Sequence, residues 1–263
     1  MAIDFVTDTV SLEINGRVAT VEMNRPESLN ALNVEMLKGL LAVMKDVSQI
    51  NEVDIVILKG KGRAFSSGGD IKTMLLEANE SDFSTVMDCI NELVVTIYSL
   101  PKLTISTVAG AAAGLGFSLA LATDYILADK NSKLAMNFIG IGLIPDGGSH
   151  FFLQQRIGED RAKHLIWEGK VLTADDALQM GLIHEVAQGD LSEAVHAKLN
   201  KWLNSPTEAM IKTKKILADK NRSVLLKVLE LEKLGQHKMR QTEDHKEGIQ
   251  AFIEKRKPVF EGK

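Results

Sequence analysis

Apolar and polar positions alternate through residues 10–14 and again through 18–23, with Asn15-Gly16 between them. Asparagine and glycine accept the positive φ angles of a tight two-residue turn, so this pattern predicts a β-hairpin near the start of the chain. The runs 54–59 (DIVILK) and 104–108 (TISTV) are instead largely apolar or β-branched, as in strands buried on both faces. Residues 125–128 predict another short strand, closed by a polar turn at 129–132. Between the strands the period changes. After Asn33, suited to capping, Met36, Leu37, Leu40, Leu41 and Met44 recur on one helical face. Residues 88–99 read as a second helix ended by Pro101, and a third begins near Leu115. Further helices are expected at 150–155, 161–167 and 173–180, the last opening on a Thr173–Asp176 capping pattern and stopped at Gly181. Residues 77–82 are polar and read as a loop bordering a pocket. From about residue 191 the chain is helical, with breaks expected at Pro206 and Arg222.

This grammar predicts an α/β fold: a core over 1–190 that carries the site, and a C-terminal helical region over 191–263. In that tail Leu225, Leu226, Leu229, Leu231 and Leu234 exceed what a lone surface helix needs, so they require a packing partner.

Charge narrows the partners. The 31 basic and 35 acidic residues are interspersed and give a formal charge of −4, which argues against nucleic acid or an anionic membrane. Cys89 is the single cysteine, so there is no disulfide framework, and a reducing compartment fits. None of the six histidines sits at HExxH spacing, and no metal is expected. The start lacks a signal-peptide arrangement and no apolar run is long enough to span a bilayer, leaving the cytoplasm as the expected location.

The stretch 104–124, TISTVAGAAAGLGFSLALATD, carries the first candidate chemistry. Gly110, Gly114 and Gly116 let the main chain approach a ligand. A helix starting near Leu115 presents unpaired amides at its positive dipole end. That suits a developing oxyanion, and it equally suits close packing of a helix on a sheet. Residues 60–72, GKGRAFSSGGDIK, repeat the design after the preceding strand, with Asp70 in the turn and an apolar helix opening at Ile71. Two such turns supply one amide each.

AFSSGGDI and VAGAAAGLGFSLALATD, with NRPESLNAL at 24–32, IGLIPDGG at 141–148 and AFIEKRKP at 251–258, resemble the crotonase superfamily of enoyl-CoA hydratases and isomerases. The resemblance covers nearly the whole chain. It implies a crotonase-like spiral of strand-strand-helix units with a C-terminal helical trimerisation region, assembled as a homotrimer or a dimer of trimers. It implies an acyl-CoA substrate, with coenzyme A arriving as part of that substrate and no cofactor bound permanently. The amides of Ser67 and Leu115 are then expected to hold the thioester oxygen. Ser28, Leu29, Ala64, Ser66, Ser67, Asp70 and Ile71 are expected around the adenine and pantetheine arm. Phe252 and Lys255 would reach the nucleotide end, although Lys255-Arg256-Lys257 is also a charge run of the kind that lies wet at a surface. Arg25 is open to two roles, a phosphate contact or a support for its own loop.

Hydratases of this family use two glutamates. In register with Asp124 and Pro145, those positions hold Ser118 and Phe138, neither of which is a carboxylate. Asp146 directly follows Pro145, where some enoyl-CoA isomerases that this sequence resembles carry an acid. One acid is enough to move a proton between two carbons of a bound acyl chain. If Phe138 dries the pocket, desolvation raises the Asp146 pKa. Pro-Asp-Gly is also a common turn sequence, the plain alternative for Asp146. The expected activity is therefore isomerisation through Asp146, with a hydratase of non-standard residues or a non-catalytic acyl-CoA binder as the alternatives. Ser118 falls one residue from a GxSxG nucleophile pattern but inside a helix, and a dinucleotide fingerprint fails at Leu119. His150 either tunes the pocket or is structural. Met74, Met87 and the 77–83 segment are compatible with several acyl shapes.

Overall fold

The computed structural model describes the backbone of residues 5–6, 8–70 and 80–263. Strand β1 (Phe5–Val6) pairs antiparallel with β2 (Val10–Asn15), and β2 with β3 (Val18–Met23) across a two-residue turn at Gly16-Arg17, where Gly16 holds φ 56° and Asn15 is the last strand residue. A 3₁₀ turn at Pro26–Ser28 leads to α1 (Val34–Ser48), where the Asn33 side chain accepts the Met36 amide as a cap. In chain order there follow β4 (Ile55–Gly60), α2 (Glu80–Ser99), β5 (Leu103–Val108), β6 (Ala111–Ala113) and α3 (Leu115–Leu121). Next come β7 (Tyr125–Asp129), β8 (Lys133–Ala135), a 3₁₀ turn at Phe138–Ile141, α4 (Ser149–Ile157), α5 (Glu159–Glu168), β9 (Val171–Thr173) and α6 (Ala174–Gln179). Strand β10 (Glu185–Ala187) and the helices α7 (Leu191–Leu203), α8 (Thr207–Met239) and α9 (Glu243–Glu254) complete the chain.

Among the described residues the large sheet has seven strands in the order β1-β2-β3-β4-β5-β7-β10, parallel from β3 onward. A second sheet, β6-β8-β9, stands beside it, and isolated parallel bridges at Leu32–Gly69 and Ser66–Ala112 extend it toward the early turns. Successive passes of the chain therefore feed first one sheet and then the other, which is a spiral.

Both faces of the large sheet are covered, which explains the unbroken apolar runs. Successive side chains of a strand point to opposite faces. Val56 and Leu58 join the main core with Met36, Leu40, Leu93 and Phe117, whereas Ile55 and Ile57 join Leu103, Ile105 and Leu199 on the other side. Trp202, Met210 and Ile211 from α7 and α8 close that second face. Each fully buried aliphatic side chain contributes roughly 1.5–3 kcal/mol. Polar pins hold the tail in place: Lys214 of α8 lies 2.8 Å from the Asp124 carboxylate, and Arg17 and Thr207 share the Asp54 carboxylate.

Two expectations are corrected. Helix α2 begins at Glu80, eight residues before the predicted start, so the polar 80–82 segment is its first turn and not a loop. Ile71, Met74 and residues 77–79 lie outside the described residues. Helix α8 runs straight through Arg222, because Lys220 and Arg222 sit on its exposed side, where polar residues continue a helix at no cost. Of the leucines that needed a partner, Leu225 and Leu229 find one within the chain, whereas Leu226, Leu231 and Leu234 remain 45–58% exposed. Among the described residues no helix is long and apolar enough to cross a membrane.

Candidate active site

A cavity of about 300 Å³ opens between the two glycine turns, α2 and the C-terminal helices. Its walls are mainly apolar, with Leu32, Val34, Val86, Met87, Ile90 and Phe138 among them. The glycine turns touch. A Cβ placed on Gly68 would fall 2.8 Å from the Ala113 carbonyl oxygen, and Gly114 holds φ 51°, ψ −128°, a backbone state open to glycine alone. This bend starts α3 at Leu115. The Gly114 amide is spent on the Ala135 carbonyl and the Ser118 amide returns to Gly114, but the Leu115 amide has no acceptor among the described residues. It is a first-turn N–H at the positive end of a helix, on the cavity wall.

The opposing amide is not the expected one. The Ser67 N–H donates to the Leu29 carbonyl at 2.9 Å, and a single proton cannot also serve a ligand. The Gly68 amide is taken by Ser66 Oγ, and the Asp70 amide by the Leu32 carbonyl. The Leu32–Gly69 bridge thereby turns the Gly69 N–H away from Leu32, and it has no acceptor among the described residues. Gly69 lines the cavity, so the pair of unspent amides is Gly69 and Leu115.

Asp146 forms the wall beside them. Its residue is 8% exposed; Oδ2 accepts from Gln236 Nε2 at 3.2 Å, while Oδ1 is buried with no partner. Burial, reinforced by the negative charge of Glu232 and opposed by the Gln236 bond, pushes the carboxyl from 3.8 up to about 8. Gly147 makes this placement possible. At φ 64° it packs so closely on α3 that a Cβ would lie 2.7 Å from Leu115 Cδ1 and 2.9 Å from Ser118 Cβ. Gly147→Ala is expected to cost about 2–3 kcal/mol in a thermal melt and to pull Asp146 back from the Leu115 amide. An unchanged melting temperature would contradict this close approach.

Two residues of this site were not singled out from the sequence. Glu232 and Gln236 share one stripe of α8 with Leu225 and Leu229, and both are 2% exposed. Glu232 accepts from the Gly148 amide at 2.7 Å, the His150 amide at 3.0 Å and His150 Nδ1 at 2.7 Å. The 225–229–232–236 spacing is helical, and a polar pair on an apolar stripe was the available signal. Ser118, in register with a hydratase glutamate, is fully buried, its hydroxyl bonded to the Gly114 carbonyl and to Ser149 Oγ at 2.6 Å. Phe138 places its ring on the cavity wall.

The residues expected around coenzyme A divide into two groups. Ser67, Asp70 and Phe252 line the cavity, Phe252 at its exposed side. Ala64 and Ser66 do not. They are 2% and 0% exposed, Ser66 Oγ donates to the Asn30 carbonyl, and the Ala64 carbonyl accepts from Asn30 Nδ2, so they brace the turn from behind. The Ser28 and Leu29 carbonyls accept from the Ser67 hydroxyl and amide respectively. Arg25 takes the supporting role of its two, with Nη1 2.9 Å from Asp70 Oδ2 and 2.6 Å from the Ala31 carbonyl. Lys255 caps α9 at φ 54°, exposed and off the cavity wall. Ile71 lies outside the described residues.

The family model described as enoyl-CoA hydratase/isomerase matches residues 13–263. YhaR of Bacillus subtilis, assigned to the enoyl-CoA hydratase/isomerases, is 47% identical over 252 residues, 96% of this chain and 98% of its own length. The 1,2-epoxyphenylacetyl-CoA isomerase of Escherichia coli is 33% identical over 94% of this chain and 95% of its own. An enoyl-CoA hydratase from Mycobacterium avium subsp. paratuberculosis superposes with a TM-score of 0.87 at 32% identity, covering 96% of this chain and 98% of that one. Matches of such length and identity, on a spiral that leaves two main-chain amides unspent beside one cavity, establish that the chain is an enzyme of the enoyl-CoA hydratase/isomerase family in the crotonase superfamily.

Proposed function

We propose that this enzyme moves a carbon–carbon double bond along the acyl chain of an acyl-CoA thioester, with Asp146 as its proton carrier. The observation that carries the reading is the buried, unpartnered Oδ1 of Asp146 on a wall whose other acid among the described residues, Asp70, is paired with Arg25. The amides of Gly69 and Leu115 would hold the thioester oxygen, each worth roughly 3–4 kcal/mol as charge develops there. Ionised Asp146 takes a proton from the α carbon, and the C–H electron pair becomes the enolate. The same carboxyl then returns the proton at the γ carbon while the double bond shifts toward the thioester. Coenzyme A would arrive as part of the substrate, a reading supported by Ser67, Asp70 and Phe252 on the cavity wall.

Two features favour this over hydration. Ser118 has its hydroxyl tied up in the core, and Phe138 contributes an apolar ring where a second carboxylate would be needed. The deciding experiment offers a cis-3-enoyl-CoA and a trans-2-enoyl-CoA separately. Double-bond migration without water addition is the expected result. Rapid hydration of the 2-enoyl thioester would favour the hydratase alternative, and binding with no α-proton exchange would favour a non-catalytic binder. Because Asp146 must first ionise, kcat/KM should rise with pH, reach half its limit near pH 8 and level off above that. The exposed Leu226, Leu231 and Leu234 support a homotrimer or a dimer of trimers, which a mass measurement in solution resolves.

A further inference from the structure

Helix α8 grips the segment that carries Asp146 at alternate points. Gln236 Nε2 donates to the Ile144 carbonyl at 2.7 Å and to Asp146 Oδ2 at 3.2 Å. One turn earlier, Glu232 accepts from the amides of Gly148 and His150. A carboxylate buried to 2% exposure is costly unless its oxygens are satisfied, and here three donors converge on two oxygens. The amide donors lie at the start of α4, where negative charge is favoured. The isomerisation step requires the charge of Asp146 but not that of Glu232, whose oxygens are directed at the turn and not at the cavity.

We propose that Glu232 is the positioning residue of this site: bonded to the Gly148 and His150 amides, it fixes the turn that carries Asp146 and sets a negative charge behind it. The inference deepens the isomerase reading and rests on it only for the kinetic consequence. The groups around the pair are few. From α8 itself Gln236 touches Asp146; from α4 His150 meets Glu232; Arg240, which follows α8, and His245 of α9 stand on the cavity wall; and Asp70 is engaged with Arg25. Glu232 is the charged neighbour whose field acts on Asp146, in the direction that favours the neutral acid. His150 is partly exposed and connects this buried carboxylate to solvent.

The test reads the proton on Asp146 directly. The infrared carbonyl stretch of the protonated carboxyl, isolated as the difference between the unmodified enzyme and Asp146→Asn, is followed against pH. In Glu232→Gln its midpoint should fall by about one pH unit, and the pH midpoint of kcat/KM should fall in parallel. Glu232→Met, which presents no competing donor to the two amides, carries the same expectation should Glu232→Gln fail to fold. A midpoint that stays in place while the melting temperature drops would leave Glu232 a structural clamp only and overturn the proposal. If the infrared midpoint moves and no isomerisation is found at any pH, the coupling stands and the isomerase reading is what fails.

Discussion

Asp146→Asn is expected to lower kcat for double-bond migration by about 10²–10⁴-fold, the usual worth of a positioned acid–base group, while leaving coenzyme A affinity essentially unchanged. Asparagine keeps the shape and can still accept from Gln236, so the loss isolates proton transfer. The same substitution should stabilise the fold. The folded state holds a proton on Asp146 up to about pH 8, whereas the unfolded chain releases it near 3.8. Between those values the folded state binds more protons, so stability falls as pH rises through the window and levels off above it. Removing the group should therefore raise the melting temperature by an amount that grows with pH up to about 8 and stays constant above it. Retained turnover rejects the catalytic role; a stability difference that does not change with pH rejects the buried-acid account.

Replacing the Leu115 amide by an ester, through the α-hydroxy analogue of leucine, is expected to reduce kcat by about 10²–10³-fold. The side chain that packs on Gly147 stays in place, and only the N–H is lost. The same exchange at Gly69 should have a comparable effect. At Ser67 it should not: there the amide bonds the Leu29 carbonyl, so an ester costs about 1 kcal/mol of stability and spares the chemistry. A large kcat loss at Ser67 with none at Gly69 would restore the amide expected from the sequence and remove the one assigned here.

Much of the fold was legible because it rests on short-range patterns. The hairpin, the Asn33 cap and the Thr173–Asp176 capping box all appear, although the hairpin turns at Gly16-Arg17, one position after Asn15-Gly16. The strands of the second sheet were not legible: β6, β8 and β9 are three residues each, too short to show a period. Within the cavity wall, Leu115 stands out in the sequence by its glycine spacing, and Asp146 by the resemblance to isomerases that carry an acid directly after the proline. Ser67 was misassigned because sequence alone does not show which amide in a glycine turn is already bonded. Ala64 and Ser66 lie in the right motif, yet their burial is decided by Asn30, a contact 34–36 residues away. Glu232 and Gln236 escaped notice because their partners are 82–92 positions distant along the chain.

The arrangement of α8 also bears on how the enzyme comes into being during synthesis. In the proposed reading the two amides and the acid lie within residues 69–146, but the turn and the acid are braced from 232 and 236. On that reading, a nascent polypeptide that has emerged only as far as α7 carries both amides and the carboxyl but lacks the brace. Competence for proton transfer should therefore arrive late on the ribosome, with docking of the final helices, and partial products of translation should be inert.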